Sequence, residues 1–334
     1  MVPGIMGSGL QASGIDHSGV PRSEVIWGES LLQIFVTLAR NPALLGVQQA
    51  TVTGVMREVN FLGSRVEPLY GPLLDYCCTP WGLDLVNGGN FRTFAYDWRV
   101  DLRDAAAKLA ALVTSVPEPV YVVAHSMGGL ITRLMLNTDD AAANVVKGVF
   151  QIASPVAGSS KAFSTIRRSF EMNQMADAMW KFFHSLDPTK RSALMKVIGG
   201  MPSLYQLLPP DQSLILMLSG GSLVSAVDYA AWLPADHHMV SCARDAHKIL
   251  ATAPSVPITC VFSTAHSTDW LIRVDSNWSI LATQHQQANG DGTVTSKSAM
   301  AVSTNAVHVA KGDTEHTKLC ANPEVHKLLK DFLS

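Results

Sequence analysis

The chain has 334 residues, 47% hydrophobic and 16% charged, which suits a large buried core and excludes a disordered segment. A net charge of −2, with no basic run beyond Arg167-Arg168 and Lys190-Arg191, excludes a nucleic-acid footprint. No uninterrupted apolar stretch is long enough to span a bilayer.

The five cysteines (Cys77, Cys78, Cys242, Cys260, Cys320) are odd in number and have no C-x-x-C spacing. They suggest free thiols rather than a disulfide framework or a zinc site. Met1 leads directly into Val2-Pro3-Gly4 with no signal peptide. Together these favour a cytoplasmic location, with a secreted mature form as the alternative.

Val2-Pro-Gly-Ile-Met-Gly-Ser8 reads as the end of a strand entering a Gly-rich loop with accessible backbone N–H groups. Glu24 to Ala43 carries an apolar helical pattern ended by Pro42. Thr51 to Val59 and Arg65-Val66 read as short strands. Leu73 to Leu85 reads as a Cys-, Pro- and Gly-containing surface stretch. Phe91 to Arg99 reads as a strand ending in a polar turn, and Leu102 to Val113 as a helix with Asp101 and Asp104 in its first turn.

Tyr121-Val-Val-Ala-His-Ser-Met-Gly-Gly-Leu130 predicts a strand, a sharp turn with Ser126 at its apex, and a helix. That is the context of a nucleophile elbow, with Ala124 replacing the first glycine of G-x-S-x-G. The bland alternative is a strand-to-helix turn with Ser126 as N-cap. Val146 to Pro155 reads as a buried strand.

From Val156 to Ser255 the pattern changes to helical patches broken by Gly and Pro. Met172, Met175, Met179 and Phe182 share one helical face, and Leu214 to Leu218 is continuously apolar. This predicts an inserted cap suited to acyl chains. Asp236-His237-His238 reads as a solvated cap loop rather than a metal site.

Pro257 to Ser263 resumes the β pattern, and Thr268 to Leu281 reads as a hairpin or loop excursion. Asp291 lies in a tight turn between Gly290 and Gly292. Asn305 to Ala310 is the expected last strand, and Pro323 to Leu333 the closing helix. The alternation predicts an α/β fold: a mostly parallel sheet with helices on both faces. Residues 1–155 and 256–334 would form the core and 156–255 an inserted helical cap, or lid.

A serine hydroxyl needs a base, and a carboxylate to orient that base. Ser126, Asp291 and His316 follow predicted strands in the order Ser, acid, His that α/β-hydrolases use. Asp269 is the runner-up acid. His308 is expected to point into the core or pack on a helix, His326 to lie within the last helix, and His125 to be structural. The N–H groups of Met127 and Ile5, with Met6 as the near alternative to Ile5, are the candidate oxyanion donors. Met6, Met175, Met179 and Phe182 are the candidate substrate-contacting side chains. No cofactor or metal is needed. The expected partners are an acyl ester or lipid substrate and, transiently, a lipid interface, with no nucleic acid.

Val2 to Ser8, Tyr96-Asp-Trp-Arg99, Ala124 to Gly129, Pro202-Ser-Leu-Tyr-Gln-Leu-Leu-Pro209 and Gly290-Asp-Gly-Thr-Val294 occur in this order. The set resembles the lecithin:cholesterol acyltransferase family, which includes lysosomal phospholipase A2 and many bacterial relatives. The resemblance implies an α/β-hydrolase fold with Ser126, Asp291 and His316 as triad, Ile5 and Met127 as oxyanion donors, and 156–255 as cap. It also implies cleavage of acyl esters of lipids, or transfer of the acyl group to an alcohol. Cys77-Cys78 cannot easily reproduce the family's long-range lid bridge, and no distinct membrane-binding domain is visible. The expectation is therefore a bacterial-type esterase or lipase. Lipid acyltransferase, phospholipase A and a non-catalytic binding protein on the same fold are the alternatives.

Overall fold

The structure is a computed structural model that describes residues 1–15, 21–48, 50–60, 66–78, 90–117, 119–168, 176–210, 216–218, 223–224, 237–275, 279–281, 286–303 and 305–334. Its elements, in chain order, begin with strands β1 (Ser8–Ile15) and β2 (Pro21–Trp27) and helix α1 (Leu31–Arg40). Strands β3 (Ala50–Val55), β4 (Glu58–Asn60) and β5 (Val66–Pro68) lead into α2 (Gly71–Cys78). The first α/β units are α3 (Leu102–Thr114), β6 (Val120–His125), α4 (Met127–Thr138), α5 (Asp140–Val145) and β7 (Val146–Ile152). Then come α6 (Ser160–Arg168), α7 (Ala176–Ser185), α8 (Pro188–Ile198), α9 (Pro202–Gln206), β8 (Leu216–Leu218), β9 (Leu223–Val224) and α10 (His237–Leu250). The chain closes with β10 (Ile258–Phe262), β11 (His266–Val274), β12 (Gln286–Gly290), α11 (Ser296–Ala299), β13 (Asn305–His308) and α12 (Pro323–Leu333).

The central sheet has the order β13-β10-β7-β6, and every pairing in it is parallel. Val2 extends it beyond β6 through a parallel bridge to Ala124, with Val2 N–H on Val123 O at 2.8 Å and His125 N–H on Val2 O at 3.0 Å. Side chains alternate across a strand. Val122 and Ala124 therefore join the core formed with α3 and α4 on one face, while Val123 joins Leu73, Cys77, Val325 and Leu329 of α2 and α12 on the other. A parallel sheet covered on both faces is the arrangement that its apolar strands predict.

The segment between β7 and β10 is joined to this core. Gln206 of α9 accepts from Leu102 N–H at 2.8 Å and donates to Asp101 at 2.6 Å, at the start of α3. Asn137 of α4 donates to the carbonyls of Ile249 and Thr252 at 3.0 and 2.9 Å. Strand β8 pairs with β11, so the sheet β12-β11-β8-β9 mixes this segment with the late hairpin.

Several sequence expectations are corrected. Residues 24–27 belong to β2, and the helix begins at Leu31 behind the Ser30 N-cap. Leu73 to Cys78 is helical, with Leu73, Leu74 and Cys77 buried, and 79–85 lies outside the described residues. Phe91 to Trp98 forms no strand: Tyr96 N–H goes to the Ser8 hydroxyl at 3.2 Å rather than to a neighbouring ladder. His237 and His238 open α10 instead of lying in a loop, and Asp236 is outside the described residues.

Candidate active site

The elbow is built by close approach. Ser126 sits at φ 52° and ψ −126°, a left-handed conformation that is costly outside glycine and typical of functional turns. Gly128, two residues on, is required by space: a Cβ there would lie 2.5 Å from Val2 O and 2.6 Å from Pro3 O. The helix start thus packs directly on the Val2-Pro3 backbone. Ser126 opens α4, but its side chain makes no capping hydrogen bond to the helix.

The hydroxyl points elsewhere. Ser126 Oγ lies 2.9 Å from His316 Nε2, and His316 Nδ1 lies 2.8 Å from Asp291 Oδ2. A carboxylate can only accept, so Nδ1 carries the proton and Nε2 is left to accept from Ser126. Asp291 Oδ1 accepts from Thr293 N–H at 2.9 Å and Val294 N–H at 2.7 Å. Burial pushes the Asp291 pKa up, but His316 and these two N–H donors outweigh it and hold the carboxyl below its ordinary value. All three side chains are nearly closed from solvent, with Ser126 6%, His316 5% and Asp291 2% exposed. The elbow, the turn after β12 and the loop after β13 deliver them to one edge of the sheet.

The loop at residues 3–8 is braced by four aromatic side chains. Tyr96 O–H donates to Pro3 O at 2.8 Å, Trp98 Nε1–H to Ser8 O at 3.2 Å, and Trp27 Nε1–H to Met6 O at 3.0 Å. Tyr70 O accepts the Gly4 N–H at 2.8 Å. Within the loop, Gly7 N–H returns to Gly4 O at 3.1 Å, and Met6 is held at φ 62°. Among the described residues, Ile5 N–H and Met127 N–H take no part in the backbone hydrogen bonding of loop and elbow. These are the two groups the sequence singled out as donors.

Among the remaining candidates, Met6 is a buried member of this loop. Met175 lies outside the described residues, and of Met179 only its place in α7 is described. Phe182 of α7 stacks on Phe35 of α1 with ring centroids 4.5 Å apart. Asp269, the runner-up acid, takes a hydrogen bond from Gln287 at 3.2 Å and is not part of the serine-histidine chain. His308 is exposed rather than in the core, meeting Thr264 Oγ1 at 2.8 Å at the sheet edge. His326 is buried in α12 against Cys320 O at 2.8 Å.

His125 is held on both sides, by Tyr70 O–H at Nδ1 (2.8 Å) and by His316 O at Nε2 (3.2 Å). Asp97 and Arg99 form a largely buried ion pair, Oδ2 to Nη2 at 2.6 Å, and Arg99 also donates to Leu45 O at 2.6 Å. Sequence reasoning missed Trp27 and Tyr70. Nothing in the Tyr96-Asp-Trp-Arg99 motif itself signals that Tyr96 and Trp98 grip the two ends of the loop at residues 3–8.

A parallel sheet with a strained Ser turn between β6 and α4, and acid and histidine loops at the same edge, is an α/β-hydrolase fold. The family model of the PGAP1-like alpha/beta domain matches residues 101–252, a little under half of the chain. A chain in the crystal structure of the Tle4-Tli4 complex is similar in fold over 97% of this chain and 95% of its own, at 12% identity and a TM-score of 0.61. The mature Bacillus licheniformis lipase BlEst2 matches over 72% of this chain and 78% of its own, at 13% identity and a TM-score of only 0.39. A lipase-esterase related protein from Clostridium acetobutylicum matches over 69% and 75%, at 11% identity and a TM-score of 0.32. The similarity to the first of these structures supports the fold; the other two are too distant to add to it. No curated protein matches the chain.

Proposed function

We propose that the chain is a serine carboxylic-ester hydrolase acting on hydrophobic acyl esters. One observation carries the reading: Ser126 caps nothing, stands at positive φ, and is joined to His316 and Asp291 by hydrogen bonds of 2.9 and 2.8 Å. In this reading Ser126 Oγ attacks the ester carbonyl carbon while its proton passes to His316 Nε2. The oxyanion that forms is met by the N–H groups of Met127 and Ile5. Asp291 stabilises the imidazolium through Nδ1–H. Collapse breaks the bond to the alcohol oxygen, which takes the proton from His316. Water, deprotonated by the same histidine, then releases the carboxylic acid and restores Ser126.

The burial of all three side chains supports an apolar, water-poor site. It also supports a second reading on the same residues, in which an alcohol replaces water and the enzyme is a lipid acyltransferase. The resemblance to the lecithin:cholesterol acyltransferase family favours a lipid acyl donor in either case. Exposed Leu32 and Val36, one turn apart on α1, suit transient contact with a lipid surface.

The test is a panel of p-nitrophenyl esters from acetate to palmitate with a phospholipid beside it, on the wild type, Ser126→Ala and His316→Ala. Turnover only in the wild type is expected, and turnover retained in both variants overturns the assignment. A long-chain alcohol that diverts acyl product into a new ester selects the acyltransferase reading.

A further inference from the structure

Three groups in the site region are not used by the proposed chemistry: Tyr70, His125 and the Gly4 N–H. They form one hydrogen-bonded line. Gly4 N–H donates to Tyr70 O at 2.8 Å, and Tyr70 O–H lies 2.8 Å from His125 Nδ1. His125 Nε2 lies 3.2 Å from His316 O. The directions are fixed by the ends. A carbonyl only accepts, so His125 carries its proton on Nε2, and its Nδ1 accepts from the tyrosine. Every member is satisfied, and Tyr70 and His125 are 2% and 3% exposed. Burial keeps the Tyr70 hydroxyl protonated, with its pKa well above the ordinary value, so it remains a donor.

The line runs from the loop that carries the Ile5 N–H, through the residue before Ser126, to the backbone of the base itself. A second tie is parallel to it. Lys318, two residues past His316, is paired with Glu67 of β5, three residues before Tyr70. The Gly7 Cα faces the Tyr70 ring so closely that a Cβ would lie 2.8 Å from Cε2. The β5–α2 junction therefore touches the donor loop on one side and the base loop on the other.

We propose that Tyr70 and His125 are positioning residues that hold the oxyanion loop and the base loop in one register, so that the Ile5 N–H and His316 Nε2 converge on the same substrate carbonyl. The proposal rests on the serine-hydrolase reading. Neither residue touches substrate. Their effect is on the transition state, because the oxyanion exists only there, and a displacement of a donor by a fraction of an ångström to one ångström is enough to matter.

The experiment measures kcat and KM for a p-nitrophenyl ester, and Ki for an aryl trifluoromethyl ketone, in the wild type, Tyr70→Phe, His125→Asn and the double variant, with thermal unfolding of each. Tyr70→Phe is expected to lower kcat about tenfold to a hundredfold with KM within about twofold, and to raise Ki by the same factor as kcat/KM falls. The double variant is expected to lose less than the product of the two single losses, since both cut one line. Losses in Tm or KM alone, with kcat and Ki unchanged, overturn the proposal. His125→Asn carries the same readout should Tyr70→Phe fail to fold. Labelling of wild-type Ser126 by a fluorophosphonate separates the two levels. A labelled serine with an unaffected Tyr70→Phe variant overturns the positioning role alone, whereas an unlabelled serine overturns the hydrolase reading and this proposal with it.

Discussion

Gly4 faces Ser126 so closely that a Cβ built on Gly4 would lie 2.9 Å from the Ser126 Cβ, with Tyr70 Oη and His125 Nδ1 both at 3.3 Å. The loop at residues 3–8 and Ser126 are thus in van der Waals contact through a position that admits only hydrogen. Gly4→Ala is expected to push the loop away from the elbow. Activity should fall about 10²- to 10³-fold, the cost of an oxyanion donor, while overpacking costs about 1–3 kcal/mol of stability. Steady-state kinetics and a urea titration check both, and full activity in Gly4→Ala would contradict the contact.

Asp291→Asn separates orientation from fold. The amide still accepts from Thr293 and Val294 through its oxygen, so the turn stays formed. Its NH₂ faces His316 Nδ1 and forces the proton onto Nε2, where it blocks the serine. We expect kcat to fall about 10⁴-fold with the Tm within a few degrees. A variant with more than a tenth of wild-type kcat would remove Asp291 from the site.

Acid should destabilise the protein through His125. Burial first, and then repulsion from His316, lower its pKa from 6.5 to about 3. A histidine depressed in the folded state is protonated first in the unfolded chain. The contribution of His125 is therefore complete above pH 6.5 and is lost progressively as the pH falls toward 3. The depressed Asp291 carboxyl adds its own loss only below 3.8. Thermal unfolding between pH 7 and pH 5 should show a falling Tm in the wild type and a flatter line in His125→Asn. Parallel lines would exclude His125 as the cause.

Tyr96→Phe should cost stability more than chemistry at the nucleophile. Removing the hydroxyl leaves the Pro3 carbonyl without its donor in the core, at a cost of about 1–3 kcal/mol. A denaturant midpoint that moves by less than a tenth of a molar would show that the hydrogen bond contributes nothing.

The elbow was legible because its ingredients are local. Four apolar residues, a serine and a glycine two places on can fold in few ways, and Pro323 with Asn322 before it set the start of α12. The order of Ser126, Asp291 and His316 was legible because each follows a strand. The Phe91–Arg99 segment misled because aromatic residues look like strand residues. Its backbone instead meets isolated acceptors, and its rings are spent on the donor loop. The α2 helix was hidden by its cysteines and by the glycine and proline at its start, which read as loop composition although Pro72 stands in the first turn, where proline is tolerated. Tyr70 carried no signal at all. Its two partners lie 66 and 55 residues away, and no spacing rule spans such distances.

The pairing of β11 with both β12 and β8 has a consequence for exchange of parts. Asp291 directly follows β12, and β8 belongs to the segment that would govern which ester enters. In the proposed hydrolase, the cap segment and the turn that carries Asp291 therefore share one sheet. On that reading, a graft of a foreign cap would have to bring the late hairpin with it, so that β8 keeps its register on β11.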